Sequence, residues 1–142
     1  MKFKTTVVRF SGMLMASVLV MLVGAVPAQA AGPSNRLYIC ASDNYTPTCL
    51  ERASYDSDFH NDPCDLSCGI YDTTFGDDAS SVSNNTGDWW KLFKDKDYKG
   101  HTVCLRPWGY SMDLTDSALE DEISSTKRMG TSRPSGCDKV IG

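Results

Sequence analysis

The stretch Leu119-Glu120-Asp121-Glu122-Ile123-Ser124-Ser125 has a near copy upstream, Phe75-Gly76-Asp77-Asp78-Ala79-Ser80-Ser81. Each places an apolar residue before an acidic cluster, then an apolar spacer, then two serines. The sequence before each copy repeats as well. In the first half Leu37-Tyr38-Ile39-Cys40 leads through Asp43-Asn44 to Thr48-Cys49-Leu50. In the second, Lys91-Leu92-Phe93 leads through Asp97-Tyr98-Lys99-Gly100 to Thr102-Val103-Cys104-Leu105. Both read as hairpins, with β-branched and aromatic residues flanking a polar turn. Apolar residues seldom recur at helical spacing, and Gly, Asn, Asp and Pro interrupt most windows, so helix is not expected. The pattern is an internal duplication of roughly fifty residues, too few copies for a solenoid. Two four-stranded units of this kind bury one face each by packing as a sandwich. The polar stretch SNNTGD (83–88) is the expected joint between them.

Residues 1–30 read as a secretory leader: Lys2, Lys4 and Arg9, an apolar run over 10–26, then Ala28-Gln29-Ala30 as the cleavage pattern. The expected mature chain, 31–142, is one domain, with a first unit at about 36–83, a second at about 89–128 and a C-terminal tail over 129–142. The whole chain carries 14 basic and 18 acidic residues. Loss of the three leader cations leaves 11 against 18, a net charge of −7. That excess disfavours nucleic acid and anionic lipid as partners, and no membrane association is expected after cleavage. The six cysteines, Cys40, Cys49, Cys64, Cys68, Cys104 and Cys137, all fall in the mature part. An even number in a small exported chain reads as up to three disulfides, with fifteen pairings open. Cys64 and Cys68 lack a second pair at ligand spacing, which disfavours zinc.

The order of Tyr98-Lys99-Gly100, Trp108-Gly109-Tyr110, Leu114 and 120–125 resembles one Greek-key motif of the βγ-crystallin superfamily. The first half matches it at Tyr45 and over 76–81, so the resemblance covers most of 37–127. Tyr45 to Asp77 spans 32 residues and Tyr98 to Asp121 spans 23, so the first key carries 9 extra residues, placed around Cys64 and Cys68. The implied fold is an all-β, disulfide-stapled sandwich of two Greek keys. The resemblance also implies calcium as a cofactor, because the acidic-serine segment is that family's calcium motif. Oxygen-rich loops of carboxylates, carbonyls and hydroxyls suit that ion. Carried over, Asp77 and Asp121 supply carboxylates, Ser80 and Ser124 hydroxyls, and Ala41 and Lys94 main-chain carbonyls, each site shared between the keys. Gly76 and Glu120 depart from the Asn or Asp usual at the motif's first position. The competing reading is that these side chains only tie the turns to backbone amides.

The leader, size, cysteines and keys also resemble the exported bacterial metalloproteinase inhibitors of crystallin-like fold, which implies an extracellular protease as partner of a monomeric, protein-binding module. An inhibitor needs a rigid exposed loop. Two segments qualify: the insertion over 59–70, and Cys104-Leu105-Arg106-Pro107-Trp108, with Leu105, Arg106 and Trp108 as contacts. The first also reads as a plain surface insertion, the second as strand and turn, with Trp108 a core or corner residue. Catalysis is not expected, since His60 and His101 are the only histidines and accompany no nucleophile, metalloprotease or phosphate-loop motif. Asp77-Asp78 on one turn does not flank a bond from two sides. Trp89 and Trp90, adjacent in a strand, cannot both face inward. The alternatives are a small secreted toxin of similar fold, or a purely structural domain without metal.

Overall fold

A computed structural model describes residues 35–45, 49–63 and 74–142. The expected leader, Cys64 and Cys68 lie outside these, as does most of the 59–70 insertion. The chain forms two four-stranded sheets. Strands β1 (Leu37–Cys40), β2 (Cys49–Arg52), β3 (Ser81–Asn84) and β6 (Tyr110–Ser111) make one, in the order β2-β1-β3-β6. Strands β4 (Trp89–Asp95), β5 (Lys99–Leu105), β7 (Ser125–Gly130) and β8 (Lys139–Ile141) make the other, ordered β7-β4-β5-β8. The helical segments described are single 3-10 turns such as Asp43–Tyr45 and Lys96–Tyr98. None is long and apolar enough to cross a membrane.

Each half lends a segment to the other. β6, from the second half, pairs with β3 of the first (Val82 opposite Ser111, Ser83 opposite Tyr110). In return Asp56 of the first half bridges Thr126 of β7. The core lies between the sheets, from Leu37, Ile39 and Val82 on one side and Trp90, Leu92, Val103 and Leu105 on the other, all fully buried. The same core takes in residues of the duplicated segments, Phe75 and Ala79 from one and Leu119 and Ile123 from the other. Full burial of side chains such as Phe75, Leu119 and Ile123 contributes about 1.5–3 kcal/mol each.

The joint is a buried polar lock. Asn84 donates through Nδ2 to the carbonyls of Asp88 (2.8 Å) and Arg106 (2.6 Å), and its Oδ1 accepts from Thr86 N and Oγ1. Thr86 Oγ1 in turn accepts from Trp90 Nε1 at 3.1 Å, which satisfies the indole of a fully buried ring. Trp89 is half-buried beside it.

Two expectations change. The tail contributes β8, which runs parallel to β5 with Cys104 opposite Val140, and Cys137 is disulfide-bonded to Cys104. His101 lies within β5, its Nδ1 3.4 Å from Asp138 Oδ2. Trp108 is not core: it is 59% exposed. The second described disulfide, Cys40–Cys49, joins directly opposed residues of β1 and β2.

The Cys104–Cys137 bridge closes a separation of 33 residues and Cys40–Cys49 one of 9. On the chain-entropy account the longer loop constrains the unfolded state more, by about 1 kcal/mol. Urea unfolding of Cys104→Ser/Cys137→Ser is expected to show the larger loss, about 2–4 kcal/mol, with Cys40→Ser/Cys49→Ser showing less. Equal losses would place the effect in native packing instead.

Candidate functional site

The duplicated segments sit at the seam between the keys, and their serines divide into two roles. The second serine of each pair folds its own hairpin corner. Ser81 Oγ donates to Ser42 O at 2.6 Å and accepts from Tyr45 N at 3.3 Å. Ser125 Oγ donates to Asp95 O at 2.7 Å and accepts from Tyr98 N at 3.2 Å. These bonds hold Asn44, Tyr45, Asp97 and Tyr98 in left-handed backbone, at φ of 59°, 60°, 56° and 63°. Such conformations are costly for residues with a side chain and persist where neighbours impose them.

The first serine of each pair crosses to the other key. Ser124 Oγ donates to Asp77 Oδ1 at 2.7 Å, and Ser80 Oγ to Asp121 Oδ1 at 3.3 Å. Main-chain bonds repeat the exchange: Leu114 N donates to Ser80 O at 3.0 Å and Phe59 N to Ser124 O at 2.9 Å. Each Ser–Asp pair expected to share a site is thus brought together. Within each key, Ser80 N donates to Cys40 O and Ser124 N to Phe93 O, which puts Ala41 and Lys94 next to the respective serines.

This bonding fixes a residue-by-residue correspondence between the two ends. Asp43 matches Lys96, Asp113 matches Asp58, Thr115 matches His60, and Glu120 and Asp121 match Gly76 and Asp77. Asp113 Oδ1 accepts from Thr115 N at 2.8 Å as Asp58 Oδ1 accepts from His60 N at 3.0 Å. The chemistry at the two ends differs. At the Asp121 end, Asp43, Asp113 and Glu120 bring carboxylate oxygens within 4.8 Å of one another. Glu120 Oε2 is buried there without a hydrogen-bond partner. Burial pushes the Glu120 carboxyl above its usual range, and the charges of Asp121, Asp43 and Asp113 add to this, against a hydrogen bond with Ser80. No salt bridge joins Asp113, Glu120 or Asp121 to a cation among the described residues.

At the Asp77 end, Lys96 Nζ lies 3.0 Å from Asp58 Oδ1. The hydrogen bond from Lys96 is the main reason the Asp58 carboxyl sits below its usual range. Lys94 Nζ lies 2.7 Å from Glu122 Oε2, and that hydrogen bond holds Lys94 above the usual lysine range. His60 Nε2 lies 3.2 Å from Asp77 Oδ2. Between these groups an open pocket of about 190 Å³ is lined by Asp77, Lys94, Asp95, Asp121, Glu122 and Ser124.

The other candidate surface is the turn over 106–109. Leu105, expected among its contacts, is fully buried and belongs to the core, which leaves Arg106 and Trp108 outside. The turn is pinned at every amide that can donate: Arg106 N to Ile141 O (3.1 Å), Trp108 N to Thr86 O (3.0 Å) and Gly109 N to Arg106 O (3.0 Å). Arg106 Nη1 donates to Gly142 O at 2.7 Å. Gly109 is needed because a Cβ there would lie 2.9 Å from Gly142 Cα. Trp108 itself has φ of 58°.

The sequence model of peptidase inhibitor family I36 matches residues 29–105, more than half of the chain. The fold is similar to solved βγ-crystallin domains. One, from work on the evolution of the eye lens βγ-crystallin domain fold, is 20% identical with a TM-score of 0.59, over 72% of this chain and 94% of that one. Spherulin 3a from Physarum polycephalum is 22% identical with a TM-score of 0.53, over 74% and 93%. A βγ-crystallin domain from Flavobacterium johnsoniae is 17% identical with a TM-score of 0.52, over 69% and 98%. No curated protein sequence matches the chain significantly.

Because the folded protein binds the Glu120 proton more tightly than the unfolded chain does, this group makes stability fall as pH rises from its unfolded value through its folded one. In chelator, Glu120→Gln is expected to gain stability relative to the native protein as pH goes from about 4 to 7. Urea unfolding across that range checks this, and parallel curves would contradict it.

Proposed function

The chain belongs to peptidase inhibitor family I36, and from that membership we propose that it acts as a secreted, non-enzymatic inhibitor of an extracellular metalloproteinase, which it engages through Arg106 and Trp108. The observation that carries this reading is the exposed Trp108 in left-handed backbone on a turn whose amides are all bonded. An exposed large aromatic in a conformation that costs on the order of 1–3 kcal/mol is not explained by stability. It suits a contact surface fixed before binding, since ordering each flexible side chain on association costs about 0.5–1.5 kcal/mol. Trp and Arg are also the residue types on which binding energy concentrates. Support for the turn comes from β8 and the Cys104–Cys137 bridge, so the C-terminal segment acts as a strut for the contact surface.

A second reading concerns calcium, and the Asp121 end favours it. Glu120 Oε2, buried without a hydrogen-bond partner beside the carboxylates of Asp43 and Asp113, belongs to the kind of oxygen-rich cluster that suits a hard divalent cation. Asp121, Glu120, Asp43, Asp113, the Ser80 hydroxyl and the Ala41 carbonyl would hold it. Bound calcium would join the keys at that end and offset the repulsion among these acids. The ion then serves the stability of the scaffold, at the opposite task from recognition.

Titration of a thermolysin-like peptidase tests the first reading. The oxidised protein is expected to inhibit stoichiometrically. Trp108→Ala is expected to weaken inhibition by about 30-fold or more, the loss of a 2 kcal/mol contact, with little change in melting temperature. Tyr55→Ala, at a side chain 69% exposed elsewhere, is expected to inhibit normally. Undiminished inhibition by Trp108→Ala would remove this turn from the contact. For the second reading, a rise in melting temperature with calcium that Asp121→Asn abolishes is expected; identical melts in calcium and chelator would end it.

A further inference from the structure

The two ends of the seam share one backbone plan and opposite electrostatics. We infer that the Asp77 end is a self-neutralised cation site: Lys96, Lys94 and His60 occupy the roles that a metal ion would fill, and the protein holds calcium at the Asp121 end alone. The inference rests on the calcium reading of the Asp121 end and adds to it a stoichiometry and a division of labour.

Three observations carry it. Where the Asp121 end sets Asp43 against Asp113, the corresponding positions here are Lys96 and Asp58, and their side chains form an ion pair. A repulsion that an external cation would relieve has become an attraction supplied by the chain. The second observation is at the motif's first position. Glu120 points a carboxylate into its cluster, whereas its counterpart Gly76 has no side chain, and a Cβ there would overlap Cγ, Nδ1 and Cδ2 of the His60 ring. The ring therefore fills the space of the missing ligand and turns Nε2 to Asp77 Oδ2. Neutral with Nε2 protonated, or charged, it donates to the oxygen that a cation would claim. The third is Asp77 itself, whose other oxygen already accepts from Ser124. Lys94, matched to Ala41 at the other end, adds an ammonium to the pocket wall and pairs with Glu122.

A calcium ion entering this end would have to displace His60 from Asp77, compete with Lys96 for Asp58 and face Lys94 on the pocket wall. Calcium prefers six to eight oxygens. Of the carboxylates at this end, Asp58 is engaged by Lys96, Glu122 by Lys94, and Asp77 by His60 and Ser124.

Calorimetric titration with calcium, paired with thermal melts in calcium and in chelator, tests this on the full mature protein. One ion per chain is expected for the native protein, still one for Asp77→Asn, and none for Asp121→Asn. Lys96→Asp, which restores the acid found at the other end, is expected to melt lower than the native protein in chelator. It is also expected to recover in calcium and bind a second ion. Lys96→Gln, which removes the charge without adding repulsion, serves if the aspartate variant fails to fold; its calcium-dependent rise in melting temperature should exceed the native one. Two ions in the native protein, or loss of its ion in Asp77→Asn, would overturn the inference. No ion at all in the native protein would end the calcium reading of the Asp121 end. In that case the Lys96 variants still decide: a calcium response gained by them supports self-neutralisation, and none refutes it.

Discussion

The fold depends on a reciprocal exchange across the seam, in which each key's turn is completed by the other. Ser80 and Ser124 reach the opposite key's aspartate with their hydroxyls, and their carbonyls take the amides of Leu114 and Phe59 from that same key. A half on its own would leave these donors and acceptors facing water or one another. Its sheet would also lack a member: β6 must come from the second half to flank β3, and Asp56 from the first to bridge β7. Buried polar groups without partners cost on the order of 1–3 kcal/mol each, so neither key has a satisfactory state alone. Duplication is what the sandwich requires, and the repeated segment is where the two copies are tied.

Much of this was legible because the tie is written in residues whose chemistry is local. Ser and Asp at fixed spacing announce turns, and alternating aromatic and β-branched residues announce the hairpins around them. The pairing of Asp77 with Ser124 and of Asp121 with Ser80 followed from resemblance, and the side chains do meet. The participation of Asp43, Asp113, Asp58, Lys96 and His60 was not legible. Each lies in a different loop from the motif and reaches it only through the exchange of segments. A signal existed in the sequence: Asp113-Leu114-Thr115 and Asp58-Phe59-His60 are counterparts, as are Asp43 and Lys96 two positions before their tyrosines. The strand in the tail was missed for a related reason. A three-residue strand such as β8 has no periodicity to detect, and its partner β5 lies across a disulfide. An aromatic in a turn looks like core until its left-handed backbone turns it outward.

The ends of the seam also show how a duplicated scaffold can diverge without losing its shape. The backbone bonds are conserved between the halves in kind and length, because changing them would unfold a corner. The side chains that point into the intervening space are under no such constraint. There one half has carboxylates and the other has a lysine–aspartate pair and a histidine over glycine. The lysine and histidine neutralise Asp77 from within the chain, whereas the carboxylates around Asp121 would need a bound cation to do the same. What differs is whether the join responds to the medium. An internal lysine is always present, whereas an ion at the Asp121 end would follow the calcium level around the protein.

The turn over 106–109 stands apart from this seam in its mechanics. The turn over 106–109 is held by Thr86 of the joint, by Ile141 and Gly142 beyond β7, and by a disulfide at the base of its strand. None of these supports passes through the acidic clusters. Rigidity of the turn therefore does not require a metal, and loss of an ion would lower the stability of the whole before it altered the geometry presented to a partner. Because the supports of the turn and the bonds of the seam involve different residues, the turn can vary in sequence while the keys remain joined. Trp108 holds its left-handed backbone through these bonds, which make that strain persist whether or not a partner is present.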